Sequence, residues 1–192
     1  MRLQAAEVLQ PDEVRLEDVI ECAETLDDFS EMDIYTVMTV LQALQLQRER
    51  PFANLAFVAD QVETDETEAI AIIHEFARLS GQSQQLGAVR VQAIDGGRIA
   101  PARRGEFPPP NAVAEFALGT QRCSVPFVLY SKNLPGGLIE RLAKIFTRDG
   151  DARHFVWENF DSFFSLSYLT TANTAALNNA LPGEFPVFEA IR

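Results

Sequence analysis

The sequence predicts a mainly α protein with a small β-hairpin, continued by an aromatic-rich α+β domain. Three observations predict it. Apolar residues recur at helical spacing through most of residues 12–79. A β-branched alternation, Ala88-Val89-Arg90-Val91-Gln92-Ala93-Ile94, runs into the turn sequence Asp95-Gly96-Gly97. Residues 105–192 hold ten of the fourteen Phe, together with Trp157, Tyr130 and Tyr168.

The elements follow in order. Pro11-Asp12-Glu13 can open a helix, because Pro suits a first turn and acids there complement the macrodipole. Leu16, Val19, Ile20, Ala23 and Leu26 then mark one face of an acidic amphipathic helix over 12–28. Asp33 is an N-cap for a second helix reaching Gln47, with Val37, Val40, Leu41 and Leu44 on one side. Pro51 precedes a third helix over 52–62. Thr64 or Asp65 caps a fourth, with Glu68 placed for a capping box and Gly81 as the C′ residue. Arg98-Ile99-Ala100 then returns as the second strand of the hairpin.

This order of helix, helix, turn, helix and hairpin over about residues 34–102 resembles the winged helix-turn-helix superfamily, with no family-specific motif. The resemblance implies a fold and not a function. The implied organisation is an acidic helical segment at 1–33, a winged helix domain at 34–104, a Pro-rich linker at 105–111 and an α+β domain at 112–192. In the last, Val125–Tyr130 suggests a strand and Leu138–Phe146 a helix. Over His154–Leu169, Val156, Phe160 and Phe163 fit a helix whereas Phe164, Leu166 and Tyr168 alternate as in a strand, and the segment is read as helix first.

Charge bounds the function. The net charge is −12 with a pI near 4.6, which argues against nonspecific attraction to nucleic acid or anionic membrane. Residues 1–33 hold two Arg against eleven acids, whereas residues 34–104 hold seven Arg against eight. Two widely spaced cysteines, Cys22 and Cys123, form neither a disulfide framework nor a zinc pattern. With no long apolar run and no apolar leader-like stretch, a cytoplasmic location and no membrane contact are expected.

The candidate chemistry is sparse. His74-Glu75 begins a zinc-protease motif, but Arg78 stands where the second His is needed. Asp149-Gly150-Asp151 lacks the alternating oxygen ligands of a calcium loop. Asn133-Leu134-Pro135-Gly136-Gly137 precedes a helix but carries no phosphate-loop lysine. No cofactor, no metal and no catalysis are expected. Two sets of contact residues remain. Arg90, Arg98, Arg103 and Arg104 lie on or beside the hairpin, where a wing touches a phosphate backbone or a partner. Asp65, Glu66 and Glu68 open the presumed reading helix, where they repel phosphates and suit an opposite-charged protein surface.

The expected function is therefore a non-catalytic adaptor or regulator acting through protein contacts, with a basic partner or a second copy of itself. The alternatives are a DNA-binding transcriptional regulator using the wing arginines, and a small-molecule-binding C-terminal domain.

Overall fold

The computed structural model describes residues 2–25, 34–47, 50–59, 65–103, 105–160, 163–180 and 188–191. In chain order these form α1 (Arg2–Ala5), α2 (Leu16–Thr25), α3 (Ile34–Gln47), β1 (Leu55–Ala59) and α4 (Glu66–Leu79). After a 3₁₀ turn at Ser83–Gln85 come β2 (Arg90–Ala93), β3 (Ala112–Leu118), β4 (Gln121–Phe127) and α5 (Leu138–Phe146). The rest is β5 (Arg153–Asn159), β6 (Phe163–Thr170), α6 (Thr171–Ala180) and β7 (Glu189–Ala190). The class is α+β. This corrects the mainly α expectation, since seven strands in two sheets stand beside the helices.

Two compact units result, both discontinuous in sequence. One comprises residues 1–57, 152–160 and 165–190, and the other residues 58–151, 161–164 and 191–192. The sequence places boundaries near 33, 104 and 111 instead.

The first unit is organised around the sheet β1-β6-β5-β7, with α2 packed on α3 and α1 on α6. Within the third helix expected over 52–62, residues 55–59 form β1 instead, and residues 60–62 lie outside the described residues. Two side chains hold the entry to β1: the Gln45 Oε1 accepts from the Phe52 N–H at 3.0 Å, and the Glu13 Oε1 from the Ala53 N–H at 2.5 Å. Leu-Ala-Phe-Val-Ala is then too short a run to bury a helix face, and it joins β6, whose residues lie a hundred positions later. The helix-first reading of His154–Leu169 is likewise replaced by β5 and β6. Every residue of β6 but Thr170 is buried, Ser165 and Ser167 included, so the alternation expected of a half-exposed strand is lost.

The second unit sets α4 and α5 against the antiparallel sheet β2-β3-β4. α4 forms as its caps dictate. The Asp65 carboxylate accepts from the Thr67 and Glu68 N–H groups at 2.7 and 3.2 Å. At the other end Gly81 takes φ +70, the Gly81 N–H bonds to the Arg78 carbonyl and the Gln82 N–H to that of Ala77, a Schellman closure. The buried face of α4 carries Ile72, Ile73 and Phe76. Phe146 of α5 lies 6.3 Å from the Phe76 ring and stacks on Phe116 of β3 at 5.8 Å.

The wing is also corrected. Asp95-Gly96-Gly97 does turn the chain, with the Gly96 N–H bonded to the Ala93 carbonyl and the Gly97 N–H to the Asp95 carboxylate. Arg98–Ala100, however, form no return strand, and β2 pairs with β3 instead. The two-residue hairpin of this sheet is Gly119-Thr120 between β3 and β4, where Gly119 supplies φ +60. Residues 106–110 form neither helix nor strand, and the segment is pinned at both ends. The Tyr130 hydroxyl donates to the Glu106 carbonyl at 3.2 Å. The Asn111 amide donates to the carbonyls of Ala100 and Leu129 and accepts the Leu129 N–H at 2.7 Å.

Candidate functional site

The predicted arginines do not form one cluster. Arg90 on β2 lies in register with Glu115 of β3 and lines an open groove of about 580 Å³ with Glu115, Arg122 and Ser124. Arg98, following the turn, lines a separate groove of about 410 Å³ with Asp65, Glu66, Ser131 and Lys132. Arg103 is exposed, and its backbone N–H bonds to the Glu106 carboxylate. Arg104 lies outside the described residues. Arg90, Arg98, Arg122 and Lys132 make no ion pair among the described residues.

The acidic set is divided in role. Asp65 is the N-cap of α4, so its carboxylate is committed to two backbone N–H groups. Glu66 shares the groove with Arg98, whereas Glu68 is half-buried and does not return the capping-box bond. Two acids and two cations therefore face one groove. That arrangement leaves little net field for a polyanion.

The acidic helix α2 presents the other surface. It buries only Cys22, whose thiol points at the Val40 carbonyl of α3 at 3.9 Å. Leu16 and Ile20, one turn apart, are 57% and 50% exposed. Val19 and Ala23 continue the same stripe half-buried, and Glu17, Glu21 and Glu24 rim it exposed. The one cation of this stretch, Arg15, is held by Asp18 through its Nε at 3.2 Å and its Nη2 at 2.8 Å. Beside the stripe, Glu13, Val14, Asp18, Glu21, Cys22 and Leu44 line a groove of about 470 Å³ between α2 and α3.

Among the described residues no group of three or more His, Cys, Asp or Glu could hold a metal ion. Arg78 is turned back onto Glu75, 2.9 Å from Nε to Oε2, and His74 is exposed. Burial pushes the thiols of Cys22 and Cys123 up, which disfavours the nucleophilic thiolate. Glu158 of β5 is pushed up to about 7 by burial and, secondarily, by the like charge of Glu189 on β7. Glu158 and Arg122 carry no signal in the sequence, because their significance depends on strand pairs that no local pattern shows. No helix among the described residues is long and apolar enough to cross a membrane.

No family model, curated protein or solved structure matches the chain.

Proposed function

We propose that the chain is a non-catalytic interaction protein, with α2 docking an apolar, basic-rimmed segment of a partner protein. The observation that carries this reading is the exposed Leu16–Ile20 stripe of α2, bordered by Glu17, Glu21 and Glu24. An amphipathic helix normally turns its apolar stripe inward. Here the inward-facing residue is Cys22, and the stripe is left outside. Covering the exposed halves of Leu16 and Ile20 contributes about 1 kcal/mol each. The carboxylates then favour a partner whose rim is Lys or Arg, mainly through encounter rate and orientation. DNA is the weaker reading, because Arg90 and Arg122 line one groove and Arg98 and Lys132 another, and the latter also holds Asp65 and Glu66.

The test compares the wild type with the double variant Leu16→Ser, Ile20→Ser in quantitative co-purification across a salt series. The expected outcome is loss of a basic partner in the variant, with its capture by the wild type weakening as salt rises. Unchanged capture by the variant overturns the reading. So does salt-sensitive binding of a random DNA duplex, measured by fluorescence anisotropy and abolished by Arg98→Ala.

A further inference from the structure

We propose that the free edge of β4 receives an extended, acidic segment of a partner protein as an added strand. This surface belongs to the second unit and does not rest on the reading of α2.

The direction of the backbone groups follows from the hydrogen bonds of β3. The Ala117 carbonyl accepts from the Gly87 N–H, and the Asn111 carbonyl from the Ile94 N–H, so the odd residues of β3 face β2. Its even residues therefore face β4, where Ala112, Ala114, Phe116 and Leu118 pair with Phe127, Val125, Cys123 and Gln121. The remaining residues of β4, Arg122, Ser124 and Pro126, turn their backbone groups away from the sheet. Half of that edge is closed. Pro126 has no N–H, its carbonyl accepts from the Arg141 guanidinium, and Val128 beyond it exchanges both bonds with Gly136. The N–H and C=O groups of Arg122 and Ser124 have no protein partner among the described residues. They form a short open edge with exposed side chains.

Charge selects the occupant. Arg122 stands on the outer face of the sheet beside this edge, with Arg90 two strands away and Glu115 between them. On the other face, Arg141 marks the side of α5 that reaches the edge, and Lys144, three residues on, shares that side. Glu140 is the carboxylate of that turn. The cations thus outnumber the acids on both faces of the edge, and an added strand with alternate Glu or Asp finds an opposite charge. A second copy is the poorer fit. Two β4 edges joined about a two-fold axis at Cys123 place Arg122 diagonal to the other copy's Arg122, a like-charge contact. Main-chain bonds then supply affinity, and Arg122 supplies selectivity.

The full-length protein, labelled with nitrogen-15, is titrated with two capped hexapeptides, one alternating Thr and Glu, the other Thr and Lys. The expected result is at least tenfold slower hydrogen exchange at the Arg122 and Ser124 amides with the Glu peptide and no change with the Lys peptide. Arg122→Glu should reverse that preference, and Ser124→Pro, which removes an outward donor, should weaken binding at least tenfold. No slowing at millimolar Glu peptide overturns the proposal, as does equal slowing by both peptides. Protection that instead rises with protein concentration alone identifies a second copy as the occupant and also overturns it.

Discussion

Replacing Gln82 by Met should weaken the second unit by about 2 kcal/mol, and the reason lies at the end of α5. The last carbonyls of a helix have no partner within it. In α5 one of these, the carbonyl of Phe146, accepts from the Gln82 Nε2 at 2.8 Å, across sixty-four residues of chain. The same amide donates to the Ser80 hydroxyl at 3.0 Å, and that hydroxyl donates to the Phe76 carbonyl at 2.8 Å. Gln82 is 6% exposed and Phe146 is fully buried, so water is poorly placed to replace the amide. Methionine matches the shape of glutamine and offers no donor. Stranding one buried carbonyl costs about 1–3 kcal/mol, and the bond to Ser80 contributes somewhat less than 1 kcal/mol. The loss should appear as about thirtyfold faster exchange of the buried α4 and α5 amides in the regime where exchange reports opening free energy. A change below about threefold would refute the reasoning, because the Phe146 carbonyl would then have found another partner at little cost.

Two further outcomes are expected. Glu158→Gln should stabilise the first unit at pH 8 by about 1 kcal/mol, a figure reduced for the partial solvent contact of this group, and should change nothing near pH 4. The folded chain holds the Glu158 proton up to about pH 7, against an ordinary value of 4.5. Wild-type stability should therefore fall as pH rises from about 4.5 to about 7. Urea melts followed by Trp157 fluorescence check this, and a pH-independent difference between the proteins counts against it. Asp65→Ala should cost about 1 kcal/mol through loss of the α4 N-cap, with Glu66→Gln close to neutral. Circular dichroism melts distinguish the two, and equal effects would remove the capping role.

What could be read from the sequence was what local chemistry decides. α4 was legible from Asp65 to Gly81 because its caps and its apolar spacing lie within one stretch. α5 was legible for the same reason, its buried residues Leu138, Ile139, Leu142 and Phe146 falling on one face. β1 and β6 were not, because short apolar runs suit either helix or strand until the partner is known, and β1 and β6, which pair with each other, lie about a hundred residues apart. The expected return strand at Arg98–Ala100 is a similar case. Its turn was correct, but β2 found β3 some twenty residues on, and the intervening Pro-rich stretch gave no hint of pairing. Arg98 and Asp65 lie some thirty residues apart, and only the fold shows that they line one groove. Arg122 carries no local signal, since its setting depends on which way the backbone of β4 faces.

The discontinuity of the first unit has a consequence for how the chain is made. Residues up to Phe57 leave the ribosome long before Ala152, from which the central strands of their sheet begin. About ninety-five residues must be added in between, which at roughly 5–20 residues per second is a wait of about 5–20 s. During that interval β1 and the buried side of α3, with Met38 and Leu41, have no sheet to close on. The second unit, nearly continuous from residue 58 to 151, can meanwhile fold first. Its early completion would leave the opening stretch of the chain as the last to settle, and the dense carboxylates of residues 1–33 then keep that waiting segment in solution by mutual repulsion.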